Sequence, residues 1–201
     1  MSKAKIAVLV SGGGTNLQAL IDAQGRGEIP HGEIVLVISN KADAYALTRA
    51  ENAGIPGVVI TKKDCGSQEA FEDALLAQLA ACEIDLIVLA GFMSILSQRF
   101  TDAYEKRILN VHPSLIPSFC GEGFYGLRVH QAALDYGVKV TGATVHYVNE
   151  IPDGGEIILQ RAVAIEEGDT PEILQRRVME QAEWHILPQA VEIVSEKLAK
   201  K

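Results

Sequence analysis

Five apolar runs divide the first half of the chain: Ile6-Ala7-Val8-Leu9-Val10, Glu33 to Ser39, Gly57-Val58-Val59-Ile60, Leu86-Ile87-Val88-Leu89-Ala90 and the run that starts at Ile108. Continuous apolar runs of this length fit strands buried on both faces. Between them lie segments with apolar residues at helical spacing. Leu17, Leu20 and Ile21 mark the first of these, and Gly25-Arg26-Gly27 closes it. Ala44 to Ala53 is the second, ended by Gly54-Ile55-Pro56, and Gln68 to Cys82 is the third, with Ser67 as its N-cap. A fourth is expected over Ile95 to Lys106. Strands alternating with amphipathic helices predict an α/β fold with a doubly wound, mostly parallel sheet.

The pattern changes after residue 117. Ser118 to Arg128 is a glycine-rich loop and Val129 to Tyr136 a short helix. Lys139 to Asn149 and Glu156 to Ile165 are β-rich and joined by a turn at Asp153-Gly154-Gly155. So short a link predicts antiparallel pairing in the C-terminal half. Gly168 to Glu172 opens a helix with Pro171 near its first position. The remainder is expected to be helical through Leu198, interrupted at Pro188.

Composition narrows the class. At 201 residues, 48% hydrophobic and 22% charged, the chain fits a single domain, 1–201, with its own core. A formal net charge of −8 argues against a general nucleic-acid or anionic-membrane binder. Cys65, Cys82 and Cys120 are odd in number and widely spaced, which argues against a disulfide framework or a structural zinc site. Reduced thiols, and an N-terminal apolar run too short for a signal peptide, predict a cytoplasmic protein. No apolar stretch approaches the length of a membrane span.

Two stretches carry candidate chemistry. Ser11-Gly12-Gly13-Gly14-Thr15-Asn16 follows a strand and opens a helix. Helix N-termini expose unpaired N–H groups, and glycines let an anion approach the backbone. A tight βα turn without a ligand has the same sequence, and neither the Gly-Lys-[Ser/Thr] of a Walker loop nor Gly-x-Gly-x-x-Gly is present. The second stretch is Asn110-Val111-His112-Pro113-Ser114-Leu115. Side chains alternate along a strand, so Asn110 and His112 share a face. An amide and an imidazolium there can stabilise an oxyanion, and a carboxylate such as Asp153 can orient the imidazole and move a proton. No activated nucleophile is apparent, which suits direct acyl transfer. In such sheets ligands gather at the carboxyl ends of the strands, where the turns after Val10, Ala90 and Leu109 would meet.

Five segments in one order resemble the glycinamide ribonucleotide formyltransferases, a folate-dependent formyltransferase family with a Rossmann-like fold: Ser11 to Asn16, Ser39 to Asp43, Leu89 to Met93, Asn110 to Leu115 and Asp153 to Gly155. The resemblance implies transfer of the formyl group of 10-formyltetrahydrofolate, as co-substrate and without a metal, to the amine of glycinamide ribonucleotide in purine biosynthesis. It implies that Asn110, His112 and Asp153 are catalytic, and that Gly14, Thr15 and Asn16 hold the phosphate. Glu183 matches a substrate-binding glutamate once one inserted residue is allowed. Met93, Ser94, Ile95, Leu96, Asn110 and the turn Asn149-Glu150-Ile151-Pro152-Asp153 would line the folate pocket, with Thr144 and His146 in support. Residues 1–110 would form the nucleotide-binding half and 111–201 the folate-binding and catalytic half. The implied partners are small molecules, with neither nucleic acid nor membrane, in a monomer or homodimer.

Three features depart from the family pattern. Gln68 and Ser94 stand where members often carry arginine, and the loop from Ser118 to Gly126 is longer than usual. The glycines of that loop suggest a lid. The nearest rivals are other folate formyl enzymes, a methionyl-tRNA or sugar-nucleotide formyltransferase or a 10-formyltetrahydrofolate hydrolase; a non-catalytic nucleotide sensor on the same scaffold is the rival from a different class, and it has no need of an oxyanion site.

Overall fold

The computed structural model describes residues 2–200. In β1 (Ala4–Val10) Ile6, Val8 and Val10 point to one face and Ala7 and Leu9 to the other, and all five are fully buried. A strand with no solvent face needs helices on both sides. They are α1 (Thr15–Gly25), α2 (Tyr45–Asn52), α3 (Lys62–Cys65), α4 (Gln68–Ala81), α5 (Gln98–Ala103), α6 (Leu127–Tyr136), α7 (Pro171–Val178) and α8 (Trp184–Ala199). The other strands are β2 (Gly32–Ser39), β3 (Gly57–Val59), β4 (Leu86–Leu89), β5 (Ile108–His112), β6 (Val140–Tyr147) and β7 (Ile157–Ala164).

The seven strands form one sheet in the order β3-β2-β1-β4-β5-β6-β7. Pairing is parallel from β3 through β5 and antiparallel from β5 through β7. Two buried clusters flank the sheet. One joins Ile6, Val8 and Val10 to Leu17 and Leu20 of α1 and to Leu187 and Val191 of α8. The other joins Ala7 and Leu9 to Phe71, Leu75 and Leu79 of α4 and Phe100 of α5. The doubly wound architecture and the antiparallel C-terminal pair expected from the pattern are both present.

Two helix expectations need correction. The segment Ile95 to Lys106 is helical only over Gln98–Ala103. The buried Glu72 carboxylate accepts the Ser97 N–H at 2.8 Å and the Ser97 hydroxyl at 2.5 Å. That holds Ser97 outside the helix as its N-cap and leaves 93–96 as an irregular segment that lines the site. The C-terminal helix is not broken at Pro188, which lies inside α8. The irregularity falls earlier, over Met179–Glu183, which is wound as a π-helix. An i→i+5 turn takes in one extra residue.

Candidate active site

The parallel strands end together. Leu9 of β1 pairs with Leu89 of β4, and Leu89 with Asn110 of β5. Two strand spacings of about 4.8 Å put the turn after β1 roughly 10 Å from the end of β5. The turns are also tied directly, because the Met93 N–H donates to Ser11 Oγ at 2.8 Å.

Register builds the centre of the site. Asn110 lies opposite His146 and His112 opposite Thr144 across the β5–β6 ladder. The period of two therefore puts these four side chains on one face. Thr144 is fully buried, accepting the Ile116 N–H at 3.1 Å and donating to the Ser114 carbonyl at 2.7 Å. It thereby fixes the chain that leaves β5. Asp153 arrives from the β6–β7 connection with φ +56, a left-handed conformation unusual for a residue with a side chain. Gly155 behind it has no room for a Cβ against the Tyr147 carbonyl.

Asp153 joins the group together. Its Oδ2 lies 3.4 Å from His112 Nδ1, and its Oδ1 lies 3.6 Å from His146 Nε2 and 3.5 Å from Asn110 Nδ2. Asn110 Nδ2 is also 3.2 Å from His146 Nε2, while His146 Nδ1 is 2.8 Å from the Tyr147 carbonyl. The long loop closes over this group. The Phe119 carbonyl is 2.9 Å from His112 Nε2, and the Gly121 N–H donates to Asp153 Oδ2 at 2.8 Å.

Burial lowers the His112 pKa, and it outweighs the Phe119 carbonyl and the Asp153 charge, which both favour the protonated ring. For Asp153 burial acts upward. It is overcome by the neighbouring His146, the Gly121 N–H and the charge of His112, so the carboxyl sits below its ordinary value. The arrangement offers a buried imidazole and an amide as donors, beside an ionised carboxylate. Among the described residues no group of three or more His, Cys, Asp and Glu side chains is arranged to hold a metal ion.

A cavity of about 140 Å³ opens beside Asn110, His146 and Asp153. Leu89, Phe92, Leu96 and Val148 supply apolar lining, and residues 149–152 the opposing turn. An apolar slot with a few convergent polar groups has the usual make-up of a small-molecule site. Ser94 and Ile95 line it too. Met93 does not; it lines an adjoining cavity with Lys62, Gln68, Ser94, Ile95 and Ser97. Gln68 Nε2 is engaged with Glu72 at 2.8 Å and with the Ile95 carbonyl at 3.0 Å, and Ser94 Oγ accepts from Asn40 Nδ2. Neither stands in for an arginine.

Gly14, Thr15 and Asn16 form the start of α1. Gly14 caps it with φ +72, and a Cβ there would lie 2.6 Å from Ala46 Cβ and 2.9 Å from Ala46 Cα. Only glycine fits both the angle and the space. Asn16 Nδ2 donates to Glu183 Oε2 at 2.7 Å across 167 positions of sequence. Glu183 is buried in the π-helical segment, and burial pushes its carboxyl up to about 7 although the Asn16 amide opposes this. Thr15 meets Met179 of the same segment.

The groups that sequence reasoning missed are mostly backbone: the Phe119 carbonyl and the Gly121 N–H. Their only signal was the glycine-rich character of the loop. The Asn16–Glu183 contact was missed as a pair, although each residue was a candidate.

A mostly parallel sheet with an Asn-x-His strand end, an Asp-Gly-Gly turn and a glycine-rich first turn defines a formyl-transferring class. The chain belongs to the formyl transferase family, whose profile matches residues 4–191. It is 46% identical over 192 residues to the phosphoribosylglycinamide formyltransferase of Haemophilus influenzae, covering 96% of this chain and 87% of that protein. It is 48% identical over 194 residues to the trifunctional purine biosynthetic protein adenosine-3 of Gallus gallus, with 96% of this chain covered. The chain spans 19% of that much longer relative. The crystal structure of glycinamide ribonucleotide transformylase 1 from Symbiobacterium toebii superposes with a TM-score of 0.90 at 44% identity, over 97% of this chain and 89% of that one.

Proposed function

We propose that the protein transfers the formyl group of 10-formyltetrahydrofolate to the amine of glycinamide ribonucleotide, a step of purine biosynthesis carried out in the cytoplasm. The observation that carries this reading is the convergence of Asn110, His112 and Asp153 within 3.5 Å contacts, beside the apolar slot and about two strand spacings from the α1 N-terminus. That separation suits a ligand with an anionic end at Gly14, Thr15 and Asn16 and an amine at Asn110. Glu183 and Asn16 together would bind polar groups of the same ribonucleotide.

The ribonucleotide amine attacks the formyl carbon, and the carbonyl oxygen takes the negative charge of a tetrahedral intermediate. Asn110 donates to that oxygen, and so does His112 in its protonated form, with its Nε2–H on the oxygen and its Nδ1–H towards Asp153. The Phe119 carbonyl already occupies one such position, 2.9 Å from His112 Nε2, and yields it when substrate enters. Asp153 holds the His112 ring and passes the proton released by the amine towards the departing folate nitrogen. Expulsion of that nitrogen, protonated, gives the formylated amide and tetrahydrofolate.

In this reading residues 1–110 supply the anion-binding turn and residues 111–201 most of the catalytic and folate-binding groups of a single domain. Residues 89–96 of the first half form one wall of the folate slot. Ser94, Ile95 and Leu96 with Asn149, Glu150, Ile151 and Pro152 surround the bound folate, with Met93 in the adjoining cavity, and Thr144 and His146 support Asn110 and His112. Its partners are these small molecules, in a monomer or homodimer.

The test is a two-substrate assay following tetrahydrofolate release. The expected release requires the ribonucleotide. Release without it would identify a hydrolase, and tight ribonucleotide binding without turnover would identify a sensor.

A further inference from the structure

The glycine-rich turn is held by one helix, α2. The Ala46 N–H donates to the Gly12 carbonyl at 3.0 Å. Arg49 Nε donates to the Gly13 carbonyl at 2.8 Å, and Arg49 Nη1 to Gln18 Oε1 of α1 at 3.0 Å. The Arg49 guanidinium lies 5.0 Å over the Tyr45 ring, which restrains it further. The Gly14 carbonyl accepts the Gln18 N–H at 2.9 Å, the first bond of α1.

These contacts set the direction of the opposite groups. A trans peptide is planar, so the carbonyl of one residue and the N–H of the next point in opposite directions. With the carbonyls of Gly12, Gly13 and Gly14 all engaged, the N–H groups of Gly13, Gly14 and Thr15 are turned the other way. Within the described residues none of these three N–H groups has a protein acceptor. They form a row of free donors at the positive end of α1.

We infer that Arg49 is a positioning residue for the anion-binding turn: its two hydrogen bonds fix the Gly13–Gly14 peptide so that its N–H faces the substrate phosphate. This rests on the reading of Gly14, Thr15 and Asn16 as the phosphate site. Glycine peptides rotate easily, and Gly13 has no side chain with which to hold itself. Of the two contacts α2 makes to turn carbonyls, the Ala46 bond belongs to the backbone. The Arg49 bond is the one a side chain supplies, and so the one a substitution removes.

The test compares glycinamide ribonucleotide with its dephosphorylated riboside in calorimetric binding and in turnover. The parent should bind the ribonucleotide far more tightly. Arg49→Met should raise the KM for the ribonucleotide roughly tenfold, the loss of one or two hydrogen bonds' worth of order. It should leave kcat, the KM for the formyl folate and the weak riboside affinity within about twofold. Arg49→Lys keeps the charge but cannot span Gly13 and Gln18 with a planar fork, so it should show a clear deficit as well. An Arg49→Met protein with the parent's ribonucleotide-over-riboside preference overturns the inference. Full restoration by Arg49→Lys overturns it too, since charge alone would then suffice. A parent that does not distinguish the two ligands removes the phosphate site itself, and the inference with it.

Discussion

Glu183 gives a prediction whose size follows from the structure. Its carboxyl is buried against Asn16 and titrates at about 7, against an ordinary value of 4.5. The folded protein therefore holds this proton more tightly than the unfolded chain does. Stability from this group is fully present below pH 4.5, falls as pH rises, and is lost once pH passes about 7. At about 1.4 kcal/mol per pH unit the loss is about 3 kcal/mol. Glu183→Gln removes the titration and keeps an oxygen for the Asn16 amide. Asn16 Oδ1 is a buried acceptor without a partner. Urea titrations of parent and variant at pH 5 and pH 8 would read this directly, with the emission of the neighbouring Trp184, the chain's one tryptophan, as signal. Because part of the loss has already occurred by pH 5, the variant should gain about 2.5 kcal/mol on the parent between the two pH values, equivalent to roughly 5–10 °C in Tm for a chain of this size. A stability difference that is the same at pH 5 and pH 8 would refute the reasoning, because Glu183 would then titrate alike in both states.

Other outcomes are equally specific. His112→Ala should lower kcat by about 10²–10³ with ribonucleotide affinity nearly unchanged, since the donor acts on the oxyanion; steady-state kinetics with near-parental kcat would sink that role. Thr15→Glu should weaken ribonucleotide binding by repulsion at the α1 N-terminus, and calorimetry finding parental affinity would show the turn to be wrongly assigned. Gly14→Ala should destabilise the fold by at least about 1–2 kcal/mol from its left-handed φ alone, with more from the 2.6 Å approach to Ala46 Cβ. A Tm within 1 °C of the parent, roughly the error of the measurement, would contradict that packing.

Local chemistry made much of the fold legible in the sequence. The unbroken apolar run of β1 is buried on both faces, Ser67 accepts the Ala70 N–H as an N-cap, and Thr170 accepts the Ile173 N–H ahead of Pro171. These signals depend on residues a few positions apart. The helix expected over Ile95 to Lys106 shrank because Glu72, distant in sequence, binds Ser97. The break expected at Pro188 lay instead in the π-helical segment, where no residue type announces an extra turn member.

Sequence by itself determined the alternation of strands and helices, and it put Asn110 and His112 on one strand face, because side-chain direction along a strand has a fixed period. It also supplied the glycines without which the α1 turn could not form. Tertiary structure alone decided that Asp153 meets His112, that Glu183 reaches Asn16 from the far end of the chain, and that the Phe119 carbonyl and Gly121 N–H cover the site. Those contacts depend on strand register and helix packing summed over the whole core. The loop contacts use backbone groups that every residue carries, so no choice of side chain could have marked them.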